Sequence, residues 1–407
     1  MGFTYLDYAA TTPLSEAVKN TLIDAISSQN DFFNSGSSTY EQGEVVSHKI
    51  ELTRQDIAKT IGVLPREIVF TSGATESNNL AIKGVAYAYK QKGNHIITSK
   101  AEHKAVLDVC KYLEVQGFEV TYLGVDSAGK INPKELENAI TDKTILISLM
   151  AVNNELGTIN NLQAIGQLAK LHKIIFHVDA AQAYGKIDLD IKNMGIDLLS
   201  MSGHKIYAPK GVGFLFVRSK APRVKLFKQI HGGTQEFGLR AGTLANYQIF
   251  ALATACREIF AKKEQNYDHV LRLRGLFLGE FKMLPRLAMQ SAYSTLEGEC
   301  CLHINTCLDN SYPGILSVSF PGIKAEALLA MLDGVCLSMG SACNSQAIEP
   351  SHVLVAIGLS ADDANSTIRV SFGLMTTEQE VLDVAKLIKE KVGLLIAISP
   401  SKEGDYV

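Results

Sequence analysis

Between about residues 52 and 250, short apolar runs alternate with stretches of helical period. "EIVFT" (67–71), "HIITS" (95–99), "TILISLM" (144–150), "IIFHVD" (174–179) and "GVGFLFV" (211–217) are nearly continuous in apolar character, as strands covered on both faces are. "ESNNLAIKGVAYAYKQK" and "AIGQLAKLHK" lie between them and read as amphipathic helices. Buried strands spaced by helices predict an α/β unit on a mostly parallel sheet. After about residue 255 the texture changes. "REIFAKKEQNYDHVLRLRGLFLGEFK" reads as a charged helical stretch, followed by strand-like "AMQSA", "GILSVSF" and "TIRVSFG" and a last helix near 377–397. That order predicts a smaller α+β unit.

Composition narrows the class without naming a function. The chain has 407 residues, 46% hydrophobic and 20% charged, with a formal net charge of -3. A globular protein of two or three domains with a large core is expected, with no electrostatic reason to bind nucleic acid or an anionic membrane surface. No run of about eighteen apolar residues predicts a membrane span, and "MGFTYLDYAATTPLSEAV" has no basic-then-apolar leader, so the cytoplasm is expected. Seven cysteines, an odd count in a long chain, suit reduced thiols better than a disulfide framework. Cys300, Cys301, His303 and Cys307 cluster loosely but lack paired CxxC spacing, so no metal site is expected.

Several motifs can carry chemistry. In "TSGATESNN" (71–79) a strand ends, small residues turn, and a helix begins near Glu76. Backbone N–H groups at such a helix start, with the Thr75 hydroxyl, can cradle an anion; alternatively Ser72 or Thr75 simply caps the helix. In "IIFHVDAAQAYGK", Asp179 closes a strand where open α/β sheets bind ligands. With Gln182 it can hold a cationic ring nitrogen and a neighbouring hydroxyl, or it can be a helix cap. In "LLSMSGHKIYAPKGVGFLFVR" (198–218), Ser202 and His204 can donate to a phosphate, and Lys205 can form an imine with an aldehyde. A phosphate cradle, a carboxylate for a pyridinium and a lysine for an aldehyde are together what pyridoxal phosphate requires. His103 in "AEHKAVLD" can lie flat against a pyridine ring and move protons, or cap a helix. Cys343 sits in "SMGSACNSQAIEP", a glycine- and serine-rich stretch where a thiolate can be reached, although a lone cysteine is commonly a small buried hydrophobe.

Taken with "YLDYAATTP", "VNNELGTI", "RAGT", "GSACNS" and "STIRVSFG", these motifs resemble the cysteine desulfurases of the IscS/NifS type, within the fold-type-I pyridoxal-phosphate enzymes, over nearly the whole chain. The resemblance implies a large α/β domain over residues 15–258 with a mostly parallel seven-stranded sheet. It also implies a small α+β domain over 1–14 and 259–407 that carries the cysteine loop. The cofactor would be pyridoxal 5′-phosphate, with Lys205 as its Schiff-base lysine, Asp179 on the pyridinium and Gln182 on the ring hydroxyl side. Ala74, Thr75, Ser202 and His204 would surround the phosphate. Thr243 would reach the phosphate of the neighbouring subunit, which implies a homodimer. His103 would stack on the ring with Asn154 alongside, and Arg369 would hold the substrate carboxylate, since a guanidinium binds carboxylates as a bidentate fork. The implied reaction converts L-cysteine to L-alanine. Lys205 would remove the α-proton, and Cys343 would take the sulfur as a persulfide and pass it to an acceptor protein. Iron–sulfur cluster assembly, tRNA thiolation and DNA phosphorothioation are the implied uses of that sulfur.

The chain departs from the family pattern in places. Ser38 stands where arginine is frequent, Tyr40 where histidine is, and Gln235 and Phe237 replace more polar residues near the expected substrate entrance and dimer seam. Residues 285–312 have no obvious family counterpart, and the C-terminus lacks the tail with which housekeeping members dock their scaffold, which favours a dedicated acceptor. A selenocysteine lyase, another β-eliminating enzyme or a transaminase of this fold would have no need of the Ser-Ala-Cys loop. A relay protein that had lost turnover would keep the fold with altered residues at positions such as Ser38 and Phe237.

Overall fold

The structure is a computed structural model and describes residues 2–284, 300–339 and 349–398. Strand β1 (Thr4–Tyr5) lies apart from the main sheet. The next seven are β2 (Ile68–Thr71), β3 (His95–Ser99), β4 (Glu119–Leu123), β5 (Thr144–Met150), β6 (Ile175–Asp179), β7 (Leu198–Ser202) and β8 (Gly213–Val217). They form one sheet in the order β2-β8-β7-β6-β5-β3-β4. Strands β3 to β7 pair in parallel, and β8 runs antiparallel to both of its neighbours. This is the α/β architecture expected of a fold-type-I enzyme.

The apolar runs of the sequence have a direct cause in this sheet. Successive side chains of a strand point to opposite faces, and here each face has its own core. Phe70, Ile147, Leu149, Phe176 and Val178 pack into one cluster, while Val69, Ile96, Leu146, Leu198 and Leu215 pack into another. The helices Ala74–Tyr89 and Lys104–Val115 contribute Leu80, Ile82, Val106 and Leu113 to the second. With both faces covered, no polar alternation is possible in the central strands. β4, an edge strand in which only Leu123 is buried, lacks that apolar signature and is not evident in the sequence.

The remaining strands are β9 (Lys282–Leu284), β10 (Cys301–Ile304), β11 (Ile315–Ser319), β12 (Val335–Cys336) and β13 (Thr367–Ser371). Four of them make a second sheet in the order β13-β11-β10-β9, and β12 pairs with β1. Asp7 bridges to Ser371, which ties the N-terminal segment to the second sheet.

Three expectations need correction or qualification. The charged stretch 257–282 spans two helices, Asn246–Ala261 and Lys263–Gly279, because Lys262 between them is not helical (φ -116, ψ 16). The helix expected near Glu76 starts at Ala74, capped by Gly73 rather than by Ser72 or Thr75. Of residues 285–312, those from 300 onward are framework, since β10 lies between β9 and β11. "AMQSA" (288–292) lies outside the described residues.

Because β8 is reversed, β2 runs parallel to β7, and the carboxyl ends of β2, β3, β5, β6 and β7 share one edge of the sheet. Open α/β sheets bind their ligands at that edge.

Candidate active site

A cleft of about 560 Å³ opens there, within the size range of small-molecule sites. It is lined by Ala74, Thr75, His103, Asn154, Asp179, Gln182, Ser202, His204, Lys205 and Arg369, residues from positions 74 to 369 of the sequence. Thr243 is not among them: it is exposed, in a separate depression with Asn34, Arg54, Gln235 and Phe237. Cys343 lies outside the described residues. The chain on either side of it is held at the cleft. Ser338 pairs with Arg369, whose N–H donates to the Ser338 carbonyl at 2.6 Å, and His352 lines the cleft with Nε2 2.9 Å from the Glu102 carbonyl.

One end of the cleft suits an anion. Gly73 has φ +143, and a Cβ there would lie 3.1 Å from Ser202 Oγ, so the tight passage from β2 into the helix needs glycine. No side chain caps the helix Ala74–Tyr89, and its first residues, Ala74, Thr75 and Glu76, line the cleft. The start of a helix bears partial positive charge and unpaired N–H groups. His204 lies alongside, Nδ1 3.1 Å from Thr11 Oγ1. Burial, with Lys205, Lys210 and Lys186 adding, pushes its imidazole down to about 4. At neutral pH it is an uncharged imidazole, and an arriving anion would favour its protonation.

The middle of the cleft presents a buried carboxylate. Asp179 Oδ1 accepts from the Ala181 N–H at 2.9 Å, so it does cap the turn after β6, while Oδ2 accepts from Asn78 Nδ2 at 2.7 Å. Asn78 escaped the sequence reading although it lies in "TSGATESNN": three residues after Thr75 on a helix, it shares a face with it. Lys205 Nζ donates to the carbonyls of Ala9 and Ala10, both at 2.7 Å, and Gln182 Nε2 donates to the Ala9 carbonyl at 2.7 Å. "YLDYAATTP" therefore supplies backbone acceptors to two residues of the cleft.

The two readings of His103 coexist. Its Nδ1 accepts from the Ala105 N–H at 3.1 Å and caps the helix Lys104–Val115, while the side chain lines the cleft. With Nδ1 accepting, the neutral ring carries its hydrogen on Nε2. Burial lowers its pKa, opposed by Asp179 and assisted by Lys205 and His352. Glu102, its fully buried neighbour, accepts from the Met150 N–H at 2.8 Å, and burial raises its carboxyl well above the usual range.

Arg369 is 4% exposed and fixed by two bonds, Nη1 to the Asn154 carbonyl at 2.9 Å and Nη2 to Asp7 Oδ1 at 2.7 Å. Its Nε has no partner among the described residues. The fork expected for a carboxylate is present, but part of it holds the scaffold. Asp7, Glu102, Glu155, Lys186 and His352 had no sequence signal of their own; only folding brings them beside the cleft. The departures Gln235 and Phe237 line the depression with Thr243 instead. Phe237 covers the Arg54 guanidinium at 5.1 Å, and Tyr40 packs on Phe33 at 5.9 Å.

An anion cradle, a buried carboxylate and an amine around one cleft can hold a phosphorylated aromatic aldehyde whose ring nitrogen is protonated. A family model described as aminotransferase class-V matches residues 4–384. The protein named cysteine desulfurase IscS from Neisseria gonorrhoeae (strain ATCC 700825 / FA 1090) is 48% identical over 396 residues, which cover 97% of this chain and 94% of that protein. Among solved structures, a NifS-like protein superposes with a TM-score of 0.84 at 34% identity, covering 97% of this chain and all of the other. One described as SspA in complex with cysteine superposes with a TM-score of 0.75 at 38% identity, covering 92% of this chain and all of the other.

Proposed function

The chain belongs to the class-V aminotransferase family, among the cysteine desulfurases of the IscS/NifS type, and from that premise we propose that it converts L-cysteine to L-alanine with pyridoxal 5′-phosphate, taking the sulfur onto Cys343. The observation that carries this reading is the convergence of Lys205, Asp179 and the Gly73–Ser202 cradle on one cleft. Pyridoxal phosphate fits that donor set. Ala74, Thr75, Ser202 and His204 would hold its phosphate, Asp179 its ring nitrogen, Gln182 its ring oxygen and Lys205 its aldehyde. When bound, the cofactor supplies an electron sink for bonds broken at the substrate's α-carbon.

The chain's own groups do the rest. Asp179, held by Asn78 and Ala181, keeps a proton on the ring nitrogen. Lys205 Nζ would take the proton from the substrate's α-carbon. Arg369 and Asn154 orient the substrate carboxylate, and His103, neutral with its hydrogen on Nε2, offers that hydrogen to the substrate sulfur. The Cys343 thiolate then attacks the substrate sulfur. A sulfur–sulfur bond forms, the carbon–sulfur bond breaks and its electron pair stays with the carbon; that carbon is protonated, and the α-carbon regains the proton taken by Lys205, to give alanine. Cys343 is five residues from Ser338, at most about 18 Å of extended chain, so the attachment of Ser338 at Arg369 is compatible with this attack.

Residues 15–258 would form the cofactor domain and 1–14 with 259–407 the smaller one, a division supported by the separation of the seven-stranded sheet from the four-stranded one. In a homodimer, Thr243 would reach the phosphate in the second copy, which accounts for its exposure outside its own chain's cleft. Cysteines 110, 256, 307 and 336 are free thiols, as suits a cytoplasmic enzyme that hands its sulfur to an acceptor protein.

Mass spectrometry with and without L-cysteine, beside an alanine assay, tests the reading. Cofactor on Lys205, one added sulfur on Cys343 and released alanine are expected. Cofactor on Lys205 with no sulfur on Cys343 would refute the persulfide route and point to a lyase or an inactive relay.

A further inference from the structure

Behind the cleft, on the side of Gln182 away from Lys205's carbonyl partners, lies a lysine that the reaction above does not use. Lys186 follows Gln182 by four residues in the turn after β6, the spacing that stacks two side chains on one face of a helical turn. Its Nζ donates to Gln182 Oε1 at 2.8 Å and lies 5.4 Å from the centre of the Tyr312 ring. It shares with Lys205 a small enclosed cavity walled by Tyr8, Tyr207 and Tyr312. The nearby Asp188 carboxylate is engaged by Lys263. The cation thus faces a carboxamide and a ring where an acid would ordinarily be found. Burial, with Lys205 adding, pushes it down to about 7.

The two bonds of Gln182 define how its amide is turned. An ammonium only donates, so Lys186 must meet the amide oxygen; a carbonyl only accepts, so Ala9 must meet the nitrogen. One N–H of Gln182 then remains, in a side chain that lines the cleft. A charge on the oxygen side also polarises the amide and strengthens that N–H as a donor.

We propose that Lys186 is a positioning residue that holds and polarises the Gln182 carboxamide, so that Gln182 serves as a strengthened hydrogen-bond donor to the ring oxygen of the cofactor. This rests on the pyridoxal phosphate reading given above. The role needs both the charge and the reach of the lysine, and it acts through Gln182 without contact to substrate.

The test uses the visible absorption of holoenzyme, titrated with pH. A polarised donor and a nearby cation both favour the form of the cofactor with more negative charge on the ring oxygen. Removing them makes the proton harder to lose, so in Lys186→Met the midpoint rises, by about half to one pH unit. Besides Lys205, the groups that titrate around Lys186 are Tyr8, Tyr207, Tyr267, Tyr312 and Lys263, which share its cavity, and His204, which its charge reaches; all are retained in the variant. Lys186→Arg, which restores charge and donor, returns the midpoint toward that of the unaltered protein. In a Gln182→Met background the shift caused by Lys186→Met shrinks. A midpoint unmoved in fully loaded Lys186→Met overturns the proposal, as does an equal shift in both Gln182 backgrounds. Should Lys186→Met not fold, Lys186→Gln gives the same readout. If the unaltered protein gains no visible band with pyridoxal phosphate, the cofactor reading itself has failed.

Discussion

Asn78 offers the sharpest test of how the cleft is built, because it acts on Asp179 from behind. Asp179 is 6% exposed, with one carboxylate oxygen held by the Ala181 N–H and the other by Asn78 at 2.7 Å. Asn78→Leu keeps the branched shape of the side chain, though it is bulkier, and removes the donor to Oδ2. A hydrogen bond to a charged group contributes about 1.5–3 kcal/mol, and leaving a buried carboxylate oxygen unpaired forfeits most of that. If the loss falls on the ring-nitrogen contact, each 1.4 kcal/mol is a factor of ten, so pyridoxal phosphate should bind roughly 10–100-fold more weakly. Titrating cofactor-free protein and following the visible band measures this, with a melting curve of the same preparation to register any general loss of fold. A dissociation constant within about twofold of the unaltered protein's, with the fold intact, would show that Asn78 does not hold Asp179 for the cofactor.

Gly73→Ala forces a side chain into φ +143 and sets its Cβ 3.1 Å from Ser202 Oγ. Strain of about 1–3 kcal/mol at the phosphate end should weaken pyridoxal phosphate at least several-fold while leaving phosphate-free pyridoxal nearly unaffected; equal losses for both would place the damage elsewhere. His177 is fully buried in the central sheet between Ser148 Oγ at 2.8 Å and Ser200 Oγ at 2.9 Å, and burial pushes it down to about 3. Below pH about 6.5 the unfolded chain protonates this residue and the folded one does not, so its contribution to stability is lost as pH falls from about 6.5 toward 3, a total on the order of a few kcal/mol. Urea midpoints of the unaltered protein and His177→Gln should therefore converge on acidification, and a difference that is flat with pH would contradict this account.

Much of this architecture could be read along the chain. Strands β3 and β5 fall on the apolar runs "HIITS" and "TILISLM", since a strand buried on both faces has no freedom to alternate. The edge strand β4 could not be read that way, because its exposed side relaxes the demand for apolar residues. The break at Lys262 was also hidden, as a charged helical pattern continues across it and only the packing of two separate helices reveals the turn.

The site divides along the same line. Lys205, Asp179, His204 and the glycine turn at Gly73 are local features, each placed at a strand end by the residues beside it, and so the sequence by itself determined which chemistry the chain can hold. The tertiary structure alone decided what those groups meet. Asn78 reaches Asp179 across 101 positions and Arg369 reaches Asp7 across 362, while Lys186 gains its meaning from the aromatic ring of Tyr312, which lies between β10 and β11 of the four-stranded sheet. A hydrogen-bond donor is visible in a sequence, but its acceptor, its burial and therefore its charge state depend on which distant segments the folded core brings against it.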